Sequence, residues 1–95
     1  MKKNTGDRSF KPTLLCMQEA VLRHLVKIAG LHEMTIWRNR HKEWHLSVTV
    51  KSRPHVLYLS TRRAPKTPRA FTRLEAALAA GQRIRATRQV TLVVR

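Results

Sequence analysis

Apolar residues between Pro12 and Gly30, in PTLLCMQEAVLRHLVKIAG, return every three or four positions at Leu14, Met17, Val21, Leu25 and Ile28. That period predicts an amphipathic helix, and Leu15, Leu22, Val26 and Ala29 widen its apolar face. Pro12 suits a first helical turn, Arg23, His24 and Lys27 fall toward the negative end of the helix dipole, and Gly30 supplies the stop. The period then changes to two. Trp44, Leu46, Val48 and Val50 alternate with His45, Ser47 and Thr49, which predicts a half-buried strand. A shorter strand from Met34 to Arg38 precedes it across Asn39 to Lys42, and Ser52 to Pro54 turns the chain into a third, His55 to Thr61.

Pro65 and Pro68 keep Arg62 to Ala70 out of any helix. Thr72 to Glu75 spells the S/T-x-x-E capping box, with Phe71 before it as an apolar staple, and opens a second helix through Leu74, Ala77 and Leu78 toward Gly81. Residues 82–89 fit either an extension of that helix or a loop. The ending VTLVVR alternates at Val90, Leu92 and Val94, as a strand does. The expected fold is therefore α+β: one domain over residues 13–95, in the order αβββαβ, with both helices on one face of an antiparallel meander. Residues 1–12, polar and basic, are expected to form a flexible arm.

Charge changes the picture more than size does. Lys and Arg number 20 against five acids, a formal net charge of +15. A compact chain with that excess repels itself and is expected to meet a polyanion, nucleic acid before membrane. The excess is lopsided, since Lys51 to Arg95 carries eleven cations against Glu75 alone. Arg62, Arg63, Lys66, Arg69 and Arg73 lead into the second helix, whose free N–H groups favour anions, and Arg83, Arg85 and Arg88 follow it. These eight are the candidate nucleic-acid-binding residues, expected to form one continuous track. Trp37 and Tyr58 are either core residues or a base-stacking pair, whereas Trp44 shares the face of Leu46 and Val48 and is expected in the core.

Other chemistry finds little support. His41 and His45 flank Glu43 at a spacing near the H-E-x-x-H zinc motif, but the acid is misplaced and the segment is turn and strand, so no metal site is expected. Cys16 is expected as a small buried thiol on the first helix. Asp7, Glu19, Glu33, Glu43 and Glu75 form no paired-carboxylate arrangement, and no phosphate-cradling glycine motif occurs, so neither an enzyme nor a cofactor is expected. No apolar run is long enough to span a membrane or serve as a leader, which makes a cytoplasmic protein the expectation.

Two resemblances carry further expectations. The helix, three-strand, helix order over Leu14 to Ala80 resembles the double-stranded-RNA-binding domain, with Arg69 and Arg73 near the phosphate-gripping start of its last helix. The segment from EWHLSVTV through PRAFTRLEAALAAG is similar to small plasmid partition-associated proteins, the ParC family, on Arg69, Phe71, Leu74, Ala77 and Leu78. That second resemblance implies a role in plasmid maintenance. The function expected from the sequence is a non-enzymatic nucleic-acid binder, duplex DNA favoured over RNA. The rival is a module that docks on an acidic protein surface. A homodimer through the C-terminal strand is the expected oligomer.

Overall fold

The computed structural model describes residues 14–94. The expected N-terminal arm, residues 1–12, lies outside them. In chain order the elements are β1 (Leu15–Gln18), α1 (Glu19–Ala29), β2 (Leu31–Arg38), β3 (Trp44–Val50), β4 (Leu57–Ser60), α2 (Leu74–Ile84) and β5 (Thr91–Val93). The strands form one mixed sheet in the order β1-β4-β3-β2-β5. The meander β2, β3, β4 is antiparallel, whereas β1 runs parallel to β4 and β5 parallel to β2. Each helix therefore crosses over two intervening strands. The class is α+β, as expected from the sequence, but the described chain begins with a strand.

Strict alternation sorts the meander into two faces. Met34, Ile36, Leu46, Val48, Val50, Leu57 and Leu59 face the helices and are buried together with Leu22 and Val26 of α1 and Ala77, Ala80 and Ile84 of α2. Burying a side chain such as Ile36 contributes roughly 1.5–3 kcal/mol, so this face holds the two layers together. Both helices lie against it, and among the described residues neither covers the other face. That open face carries Thr35, Trp37, His45, Ser47, Thr49 and Tyr58.

The first helix differs from its sequence pattern in start and in rotation. Residues 15–18 pair with β4, Leu15 opposite Leu57 through Gln18 opposite Ser60, so the helix begins only at Glu19. With Leu14 to Met17 removed from the helix, the stripe that runs through Val21 and Ile28 loses its start. These two are 53% and 70% exposed, while Leu22 and Val26 are fully buried. Cys16 consequently sits on β1, opposite Tyr58, where burial pushes its thiol pKa up. Gly30 closes α1 with φ +86°, a conformation that favours glycine, and its N–H bonds the Val26 carbonyl at 2.8 Å.

The second helix is set by a bridge before it. Phe71 exchanges two backbone hydrogen bonds of 2.8 Å with Trp44. This holds the approach extended, so the N-cap falls on Arg73 and Thr72 makes no cap. Gly81 does not end the helix, which runs to Ile84. A Cβ at Gly81 would stand 2.7 Å from Met34 Sδ, so glycine there allows close packing on the sheet. Residues 85–90 form the loop that leads into β5, which is a three-residue sheet edge with Leu92 and Val93 exposed.

Candidate nucleic-acid interface

The hairpin between β2 and β3 is organised by one side chain. Asn39 Oδ1 accepts the N–H groups of His41 at 2.7 Å and Glu43 at 3.0 Å. Its amide nitrogen is thereby left to face His45 Nε2 at 2.9 Å, with Glu43 Oε1 at 3.3 Å. An amide N–H can only donate, so Nε2 accepts and the proton of the neutral ring is on Nδ1. Nδ1 donates to the Arg69 carbonyl at 2.9 Å. A buried imidazole thus ties the hairpin, β3 and the end of the 61–70 loop together.

That loop leaves β4 and returns at the same end of the sheet. Ala64 N–H bonds Thr61 Oγ1 and Thr67 N–H bonds the Ala64 carbonyl, both at 3.2 Å, before Arg69 N–H reaches the Leu59 carbonyl at 2.7 Å. Arg38 pairs with Trp44 across the hairpin, so both segments project from one end. There the chain places Arg38, Arg40, Lys42, Arg62, Arg63, Lys66, Arg69 and Arg73, with Glu43 in the hairpin, Glu19 close enough to Arg69 to feel its charge, and Glu75 in the first turn of α2. Arg62, Arg63, Lys66 and Arg73 are exposed. Arg69 is half-buried, its guanidinium 4.4 Å from the Phe71 ring centroid, so part of its role is packing. Arg38 lies 5.7 Å over the Trp44 ring, which itself packs against the core.

Of the remaining predicted cations, Arg83 is held by an acid that also feels Arg69, whereas Arg85 and Arg88 lie apart, so the expected continuous track is interrupted. Arg83 forms a two-pronged ion pair with Glu19, both bonds 2.9 Å. Arg85 and Arg88 lie in the loop beside Leu31 to Met34, at the opposite end of β2 from Arg38. The exposed face of α2 offers Glu75, Ala76, Ala79 and Gln82 beside this paired arginine, which is a poor surface for a DNA groove.

Trp37 and Tyr58 do come together. Their rings meet edge to face at 6.1 Å, although their strands flank β3 and stand about 9–10 Å apart. The rings therefore lean inward over Ser47, which is 5% exposed despite its place on the open face. Trp37 also stacks on His45 at 4.3 Å. Beside them a groove of about 750 Å³ runs along the open face, with Thr35, Thr49 and Val56 on its walls and Arg38 and Arg40 at one end. Thr49 Oγ1 is buried and has no hydrogen-bond partner among the described residues. Asn39 and Thr35 were not singled out by sequence reasoning, and His45 was weighed only as a metal ligand. The alternation of His45, Ser47 and Thr49 opposite the core face was the available signal.

His41 is exposed in the turn and His45 is buried in the network above; among the described residues no cluster of three metal-binding side chains occurs. No helix among them is long and apolar enough to cross a membrane. Comparison of the chain with family models, with curated proteins and with solved structures found no match.

Proposed function

We propose that this protein binds nucleic acid by gripping the phosphodiester backbone at the cationic end of its sheet. The observation that carries the reading is the convergence of two separate segments, the hairpin from Arg38 to Glu43 and the 61–73 loop, which bring eight cationic side chains to one end of the sheet. Of the acids at this end, Glu43 lies within hydrogen-bonding distance of the Asn39 amide, and Glu19 is paired with Arg83. Arginine suits the task because its planar fork meets a phosphate with two parallel bonds. Fixing the loop through His45 and the Leu59 carbonyl lowers the entropic cost of ordering it around a ligand. A role in plasmid maintenance is attached to this activity through the resemblance of the Arg69 to Leu78 segment, whose residues here serve packing: Phe71 and Ala77 are in the core.

Charge removal at the two ends of the sheet tests the reading. Replacing Arg62, Arg63 and Lys66 together by Gln is expected to weaken binding of a labelled oligonucleotide by ten-fold or more, since each replacement removes about one phosphate neutralisation. Replacing Arg85 and Arg88 by Gln is expected to change it by less than about three-fold. Anisotropy titration of the purified, nuclease-treated protein reads both. Equal weakening at the two ends would show diffuse attraction and remove the site. Absence of binding at low salt would favour docking on an acidic protein instead.

A further inference from the structure

Phosphates account for the cationic end but not for the groove that opens beside it. We infer that this groove receives unpaired nucleobases, with one base stacked on Trp37, so that the preferred ligand is a single strand. The inference rests on the nucleic-acid reading above and names its substrate class.

Four observations carry it. The open face presents an indole and a phenol side by side, with Trp37 stacked on His45 and the two aromatic rings in edge-to-face contact. A groove of about 750 Å³ falls within the size range of small-ligand sites, and Trp37 and Tyr58 both line it. Its wall holds a buried hydroxyl with no partner among the described residues, Thr49 Oγ1, and such groups are normally satisfied. Finally, the groove reaches Arg38 and Arg40, where the phosphate-binding charge begins.

The geometry also separates a single strand from a duplex. Bases in a duplex are stacked on each other and cannot reach an aromatic ring on a sheet, whereas splayed bases stack readily and a backbone beside them follows a positive rim. The carboxylate on the groove, Glu33, lies at the end away from Arg40 and accepts a bond from Thr91 Oγ1 at 2.7 Å. The strand is thus drawn toward the cationic end. The Thr35 hydroxyl on the groove wall can donate or accept, so it satisfies a base edge without dictating which base.

Four probes of equal length test this with the whole chain: a DNA strand, the RNA strand of the same sequence, the DNA strand with abasic sugars in place of its central nucleotides, and the duplex. At least one base-bearing strand is expected to bind about ten-fold tighter than the abasic strand and the duplex, in line with the worth of one stacked base. The difference between the DNA and RNA strands identifies which sugar the groove prefers. Trp37→Ala is expected to abolish the preference for base-bearing over abasic strands, with Trp37→Phe retaining part of it. Because Trp37 also packs on His45, a second readout avoids dependence on that fold: in Trp44→Phe the remaining indole reports on the groove, and base-bearing but not abasic strands are expected to quench it. Equal affinity for all four probes without quenching would overturn the groove while leaving the phosphate reading intact. Failure of every probe to bind at low salt would remove both.

Discussion

At the scale of single residues, Gly81 is where the helical layer and the sheet come closest. Glycine inside a helix costs about 1 kcal/mol relative to alanine, and its place at the end of AALAAG looks from sequence like a stop. The cause lies across the interface, in Met34 Sδ, 2.7 Å from where a Cβ would stand. Overpacking of a buried site costs about 1–3 kcal/mol, so Gly81→Ala is expected to destabilise the protein by about 1 kcal/mol in urea unfolding despite the better helix former. In a Met34→Ala background the same change is expected to stabilise, because the obstacle has gone. Stabilisation in the wild-type background would show that Met34 moves aside freely. Asn39 and His45 illustrate the same limit of local reading: their hydrogen bonds join residues 6 and 24 positions apart, and nothing in either neighbourhood announces them.

Among the elements, the meander was legible because its apolar and polar residues alternate without interruption from Trp44 to Val50. The first element was not. Leu14 to Met17 is a short apolar run that fits a helical turn and a strand equally, and pairing with β4 decides the matter. The predicted apolar face of α1 is also rotated: Leu22 and Val26, which widen the stripe, are fully buried, whereas Val21 and Ile28 within it are exposed. The ion pair between Glu19 and Arg83 then ties the beginning of α1 to the last turn of α2. The hydrogen bond from Arg83 holds the Glu19 carboxyl below its ordinary range, helped by the nearby positive charges of Arg83, Arg23 and Arg69 and opposed by partial burial. A carboxyl with a lowered folded pKa contributes stability above its unfolded pKa, about 4, and loses it as pH falls through the folded value. Glu19→Gln is therefore expected to lower the thermal midpoint slightly near neutral pH, as exposed ion pairs are weak, with the gap closing as the pH drops below about 4. A gap independent of pH would mean that the pair contributes nothing.

For the whole molecule, a net charge of +15 on 95 residues made a polyanionic ligand legible from composition alone. How the charge is arranged was not legible, because the chain order of the arginines suggests one run where the fold interrupts it, setting Arg85 and Arg88 at the opposite end of β2 from the hairpin. Only the group at the hairpin end adjoins an aromatic groove, and the link between them is the His45 ring, stacked on Trp37 and bonded to Arg69. Binding through that end releases counterions from the nucleic acid, which ties affinity to ionic strength. The most direct test is the dissociation constant of the intact, nuclease-treated protein for a short single strand, measured over a series of salt concentrations. With about five phosphates neutralised on a single strand, log affinity is expected to fall with log salt at a slope of roughly −3 to −4. A slope near zero would contradict a phosphate grip at the cationic end of the sheet.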